Sequence, residues 1–445
     1  ISDLKNNLSD AVLALDFEKE EKGEDFYAVG LGGRTYGIIW PNREIQPEIH
    51  QIKKSGQPVK IEEVDLQKGL FKITNYHHFT NLNALDADWD ITVDGKSIKH
   101  GEIEIDVPAQ QAREITIPEI AFPLDEQIFA GDESLFTISF KLKENTNWAE
   151  AGHEIAWDQF EISKSILHYV VFIQKKTVEL EDTEEQIIIS GENFTYKMDK
   201  KTGMLSSVVF KGTEYLEEGP AFNVWRAPIA NDIDPWGSYM FEKGKMKEGY
   251  GRSIDNQLRS LGMRDLAPQV DEIYPSKKNG KVVIRIKAFS NAVTPFNFSN
   301  TWGGASSGFE RNETWTINSD GTIELKQEII PHGPMPDMLQ KIGLQFQLPK
   351  AFSNVEWYGR GPFETYPDRK TGAKVGLYHS NANEMFVPYI IPQEYGNRTD
   401  VRWLKVQNDD GKGLLINGDE LVNFSLHKYT TDNRSRAMYL YQLNE

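Results

Sequence analysis

The stretch Glu356–Tyr378, EWYGRGPFETYPDRKTGAKVGLY, is followed after a short spacer by Pro388–Arg402, PYIIPQEYGNRTDVR. Trp357, Tyr358, Tyr366, Tyr378, Tyr389 and Tyr395 alternate there with Arg360, Glu364, Asp368, Arg369, Glu394, Asn397 and Arg398. Gly359, Gly361, Pro362, Pro367, Pro388, Pro392 and Gly396 interrupt it repeatedly, which makes it a series of rigid turns. Ordering such a segment costs conformational entropy, so it must pack against something or bind something. Aromatic faces flanked by carboxylates and guanidiniums suit the C–H faces and hydroxyls of a sugar. They suit equally a satisfied, buried polar network, which is what polar groups inside a β fold usually form.

Upstream of these turns the chain reads as strands. Between residues 58 and about 165, VKIEEV, LFKITNYHHF, DWDITVDG, ISFKL and EIAWDQFEI show short alternating patterns, with Asp94-Gly95 as a hairpin turn. That density of strands predicts an immunoglobulin-like sandwich over 46–172. The polar run IQKKTVELEDTEEQ, 173–186, reads as a linker. The block 187–445 is again β-rich, with hairpin signals such as Ser319-Asp320-Gly321, and its size predicts a large double-sheet sandwich. The fold class expected is therefore all-β. Residues 1–25 are ambiguous, and Gly30, Gly32 and Gly33 lack the spacing of a dinucleotide loop.

Several of these stretches carry a resemblance. YGRGPFETYPDR resembles the GxGPxExYPDR signature of the C-terminal domain of glycoside hydrolase family 2 β-galactosidases, and PYIIPQEYGNRTDVR resembles the PxExGxR block that follows it. GIIWPNREIQPEIHQIKK, 37–54, is similar to the segment that leaves the family's catalytic barrel. WAEAGHEIAWDQF, 148–160, GTEYLEEGPAFNVWRAPIANDI, 212–233, MLQKIGLQFQLP, 338–349, and FSLHKYTTDNRSRAMYLYQL, 424–443, resemble further family segments in the same order. Ala230 stands where the family usually has an acid. The resemblance implies that residues 1–45 are a remnant of the barrel-to-sandwich connection and that the large sandwich is mutarotase-like. It implies that the catalytic (β/α)8 barrel is absent, and with it the two glutamates of a retaining glycosidase. A start at ISDLKNNLSD without Met, and a stop at Glu445 before the family's final hairpin, are expected of a processed or excised chain. The complete protein would hydrolyse terminal β-galactosides. This portion would brace the barrel, which is its missing partner, and join in a homo-oligomer. Mg²⁺ and Na⁺ would belong to the complete protein, with no cofactor or metal in this chain.

Composition narrows the alternatives. The chain has 445 residues, 39% hydrophobic and 11% aromatic, so sizeable cores are expected. A net charge of −18 argues against nucleic acid and anionic membrane surfaces as partners. There is no cysteine, hence no disulfide and no thiol nucleophile. No run of eighteen apolar residues is present to span a bilayer. A soluble protein of cytoplasm or periplasm fits both observations.

Candidate chemistry is sparse. Thr213-Glu214-Tyr215 and Asn312-Glu313 superficially resemble glycosidase motifs, but the first lies in a turn and the second opens an alternating strand, so neither is expected to be catalytic. His153 is expected to be a buried, hydrogen-bonded histidine in a strand-edge turn. The candidate carbohydrate-binding residues are Arg226, Glu364, Arg369, Glu394, Asn397, Arg398 and His427. They fit a sugar pocket on a sandwich face, with Glu394 and His427 as base and acid for ring opening of an aldose. The competing reading is a buried salt-bridge network that fixes the turns. Exposure separates the two, since a site needs these groups in an open cleft and a network needs them closed.

Overall fold

A computed structural model describes residues 37–40, 42–120, 133–164, 177–233, 253–293, 307–437 and 439–444. The ambiguous N-terminal residues, the glycines at 30, 32 and 33 and the first part of the expected linker lie outside these. Among the described residues the chain is built of antiparallel strands, with three short α-helices, α1 (Glu48–Ser55), α2 (Ile254–Ser260) and α3 (Thr431–Arg436).

The first sandwich follows from period-two patterning. One sheet contains β1 (Val59–Asp65), β2 (Leu70–Asn75) and β5 (Ala112–Thr116), in the order β1-β2-β5. The other contains β3 (Leu85–Val93), β4 (Lys96–Ile103), β6 (Glu133–Leu142) and β7 (Glu154–Lys164), in the order β4-β3-β6-β7. Leu85, Ala87, Trp89 and Ile91 alternate inward from β3 and meet Phe71 and Ile73 across a core closed by Phe136, Ile138 and Phe140. Three strands over four is the layout expected of an immunoglobulin-like sandwich. The turn between β3 and β4 places Asp94 at φ 47° and Gly95 at φ 77°, which is why Asp-Gly suits it.

The second sandwich uses four sheets. β8 (Glu179–Asp182), β9 (Gln186–Ser190), β10 (Phe194–Asp199), β11 (Met204–Phe210) and β12 (Thr213–Glu214) form one sheet in sequence order. β8 lies within the polar run read as a linker, where Val178 and Leu180 are the apolar residues that reach the core. β13 (Glu218–Asn223) pairs with β18 (Gly343–Gln347). β14 (Leu266–Lys278), β15 (Lys281–Ala292), β16 (Gly308–Ile317) and β17 (Ile323–His332) form a second meander, with the turn before Thr322 closed as Ser319-Asp320-Gly321 implies. The fourth sheet has β19 (Asn354–Gly361), β20 (Lys374–Asn381), β21 (Arg398–Gln407) and β22 (Gly413–Phe424), in the order β20-β19-β21-β22. Ile187, Ile189, Val282, Ile284, Trp315, Trp357, Val401 and Leu404 share one core among the three larger sheets. The sheets are open, and none of those described closes into a barrel.

His153 differs from its expectation. Its backbone carbonyl does accept from Leu142 N at 3.0 Å in the turn before β7, but the residue is exposed, with its ring edge-on to Trp148. The turn points outward, so a histidine there meets solvent and not a core.

Candidate functional site

The aromatic and charged turns fold against the end of the last sheet, and their polar groups divide into two buried networks. The first centres on Glu364, which is 2% exposed. Its carboxylate accepts from Arg369 Nη2, from the Tyr389 hydroxyl at 2.5 Å and from Gly396 N at 2.6 Å. Gly396 sits at φ 76°, a conformation that a side chain would strain, and this turns its amide onto the carboxylate. Arg369 also lies 3.5 Å from Glu48 in the first turn of α1, which ties the helix to the turn. Tyr389 is held protonated: burial raises its pKa, and the neighbouring Glu364 carboxylate raises it further. Asn397 Nδ2 donates to Thr365 O at 2.7 Å, Thr365 N donates to Asn397 O at 2.8 Å, and Thr399 N donates to Thr365 Oγ1 at 2.9 Å. The two halves of the motif, 32–34 residues apart at these positions, are zipped together by these bonds. Arg398 is 4% exposed and donates to the carbonyls of Gly396 and Asn397, with its guanidinium 5.2 Å from the Trp357 ring centre. Burial pulls its pKa down to about 10, partly offset by Glu364 and Tyr366.

The second network centres on Glu394, 6% exposed. Its Oε2 accepts from Arg434 Nη1 at 2.9 Å. Arg434 comes from α3 and is 1% exposed. The helix is started there by Thr430, whose side chain accepts from Asn433 N. His427 Nε2 lies 3.8 Å from Glu394 Oε1, but its short contacts are elsewhere: Tyr395 O at 2.7 Å on Nε2 and Arg434 Nη2 at 3.0 Å on Nδ1. A carbonyl accepts and a guanidinium donates, so the ring must be the neutral tautomer with its proton on Nε2. Burial, and after it Arg434, lower the His427 pKa to about 3 against the pull of Glu394. Burial alone would raise the Glu394 pKa, but Arg434, His427 and Lys341 outweigh it and hold the carboxyl at about 2. At neutral pH the pair is therefore a carboxylate and a neutral imidazole with both nitrogens engaged. Neither has a proton ready to deliver or an open path to a substrate. Ser425 Oγ, 3.4 Å from both Glu394 Oε1 and Asn397 Oδ1, joins the two networks.

Arg226 belongs to neither. It pairs with Asp232 through Nε at 3.3 Å and Nη2 at 3.2 Å, and its backbone N donates to Gln340 Oε1. The structure thus brings together six of the seven candidate residues and leaves Arg226 in its own loop with Asp232. Among the described residues, a cavity of about 90 Å³ and another of about 410 Å³ are lined by none of the seven.

Glu214 accepts from Ser207 Oγ and from the amides of Val208, Tyr215 and Leu216. Glu313 is buried between Arg311, Trp315 and Gln327. Both carboxylates are spent on internal hydrogen bonds. Among the described residues no group of three or more histidine, aspartate or glutamate side chains is arranged to hold a metal ion, and no helix is long and apolar enough to cross a membrane.

The polar residues that sequence reasoning missed lie mainly between the sandwiches. Arg402 grips buried Glu133 with Nε at 2.8 Å and Nη2 at 2.5 Å, and the Tyr358 hydroxyl donates to the same carboxylate at 2.6 Å. Gln159 pairs with the backbone of Val375 in the manner of a strand, accepting from its N at 2.9 Å and donating to its O at 3.0 Å. Lys374 reaches Glu154 at 2.5 Å, and Gln51 on α1 accepts from Gly372 N at 2.8 Å. The tip of the β3–β4 hairpin fits so closely that a Cβ on Gly95 would lie 2.9 Å from Leu377 N.

Residues 190–445 match the family model described as β-galactosidase small chain, and residues 71–163 match one described as β-galactosidase, domain 4. The chain belongs to the β-galactosidase small-chain family. It is 32% identical over 408 residues to a β-galactosidase of Priestia megaterium, covering 92% of this chain and 36% of that protein. A β-galactosidase of Psychromonas ingrahamii is 25% identical over 439 residues, covering 95% of this chain and 39% of the relative. One of Streptococcus thermophilus is 24% identical over 414 residues, at 92% and 36%. The chain thus spans 36–39% of the length of these curated relatives. In this small-chain family member, the signature turns and the domain-4 sandwich are the parts locked to each other by Glu133, Arg402 and Gln159.

Proposed function

We propose that this chain is the non-catalytic portion of a retaining β-galactosidase, and that it works as a rigid brace for the catalytic barrel of the complete protein. The observation that carries this reading is closure. Glu364, Glu394, Arg398 and Arg434 are each at most 6% exposed and are hydrogen-bonded to one another's turns instead of lining a cleft. A structure that spends its charged groups on fixing turns and joining two sandwiches is built for shape, not for turnover. The hydrolysis of terminal β-galactosides would belong to barrel carboxylates, and any Mg²⁺ or Na⁺ of the complete protein to ligands outside this chain. Calorimetric titration of galactose and lactose into the chain tests the closed reading. No saturable heat is expected. Saturable binding that Glu394→Gln abolishes would replace the brace with a sugar site on the sandwich.

A further inference from the structure

The smaller cavity, about 90 Å³, lies where α1, the start of β7 and the turn after Pro362 converge. Its walls include His50, Lys53, Lys54, Glu154, Trp157 and Phe363. Three ammonium groups gather here against two carboxylates. Lys54 is spent on Asp158 at 2.6 Å, on Trp157 O and on Gln57 Oε1 at 3.2 Å. Lys374 is spent on Glu154 at 2.5 Å, and both it and Lys54 lie over the Trp157 ring, at 5.1 and 4.1 Å. Lys53 is left over. Its one hydrogen-bond contact among the described residues is His153 Nε2 at 3.1 Å, and none of the described carboxylates lies within 4 Å of it. His50, three residues earlier on the same face of α1, stacks flat on Phe363 at 3.8 Å and has no hydrogen-bond partner among the described residues. The crowding is real: burial lowers the Lys53 pKa, and Lys374 lowers it further against Glu154, while burial and then Lys53 lower that of His50. An exposed ammonium with no carboxylate within 4 Å, answered only by the field of Glu154, and an imidazole without a hydrogen-bond partner among the described residues therefore face a cavity with room for several water-sized groups.

We propose that this junction is a binding site for one small tetrahedral oxyanion of the phosphate or sulfate class, held by Lys53 and His50 between the two sandwiches. Such an anion would supply the missing negative charge and accept from donors on α1 opposite the turn that carries Phe363 and Gly372. Because both sandwiches form the walls, occupancy would tighten their junction. The site rests on the charge balance of the cavity and stands whether or not the chain acts as a brace.

The test is calorimetric titration of inorganic phosphate into the full chain at pH 7, with thermal melts in phosphate, sulfate, acetate and chloride at matched ionic strength. One saturable phosphate site is expected, with a rise in Tm that phosphate and sulfate produce and chloride does not. Lys53→Met should weaken phosphate at least about tenfold and Lys53→Arg should retain it, as the charge argument requires. Equal shifts in chloride, acetate binding without phosphate binding, or unchanged phosphate affinity in a folded Lys53→Met variant would each overturn the site and leave a water-filled cavity.

Discussion

Replacing Glu394 by glutamine should be among the most damaging single changes in this chain. The carboxylate faces Arg434, whose side chain is 1% exposed and cannot turn to water. Two routes give the size of the effect. The carboxyl is held at about 2 against an ordinary value of 4.5, and at about 1.4 kcal/mol per pH unit that drop is worth about 3–4 kcal/mol. Breaking a buried pair by removing one partner typically costs about 3–5 kcal/mol, because the other charge stays inside uncompensated. For a sandwich of this size that corresponds to a fall in Tm on the order of 10 °C. Urea unfolding of the wild type and Glu394→Gln at pH 7.5 measures it directly. The sign with pH follows from the depressed pKa. The carboxylate's contribution is fully present above about pH 4.5 and is lost as pH falls through about 2, so the gap between the two proteins should close over that window. A loss under about 1 kcal/mol at pH 7.5, with a gap that does not narrow in acid, would refute the buried pair and the closed network with it.

Other expectations follow from the same contacts. His427 is held neutral with its pKa lowered to about 3, so the unfolded chain binds a proton that the folded chain refuses between about pH 6.5 and 3. Stability should therefore fall as pH drops through that range, and His427→Asn should flatten the slope in a pH series of urea melts. At the sandwich junction, Glu133→Gln leaves Arg402 without its carboxylate and should cost about 3 kcal/mol, against about 1 kcal/mol for Tyr358→Phe. Equal, small losses in the two urea melts would mean that the bridge is solvated. Gly95→Ala puts a Cβ at φ 77° and into Leu377, so it should lose at least about 1–2 kcal/mol of thermal stability, while the exposed Gly152→Ala, at φ 84° but with open space around it, pays only for its backbone.

Local pattern made much of the fold legible. Val282, Ile284, Ile286 and Ala288 on β15 alternate inward, as a period of two requires, and so do Leu85, Ala87, Trp89 and Ile91 on β3. Asp94-Gly95 and Ser319-Asp320-Gly321 announced their hairpins. β8 was hidden because Glu179, Glu181 and Asp182 read as a solvated run, although an edge strand needs only one apolar face. Glu364, Arg369, Glu394 and Arg398 stood out because their turns crowd them into one short stretch. Arg434, forty residues beyond Glu394, and Arg402, 269 residues beyond Glu133, did not. No local pattern specifies which distant carboxylate a guanidinium will meet, because that choice is made by the packing of sheets. Arg226 stands with the turns as a candidate in the sequence, but its partner in the fold is Asp232, six residues away.

As a brace, the chain would shape a β-galactosidase without catalysing. The deciding measurement is hydrolysis of a nitrophenyl β-galactoside by the purified chain, alone and mixed with the portion of the Priestia megaterium β-galactosidase that this chain does not match. The expected result is no turnover by the chain alone and more turnover in the mixture than the other portion gives by itself. Turnover by the chain alone, abolished by a single Glu→Gln change within it, would contradict the claim.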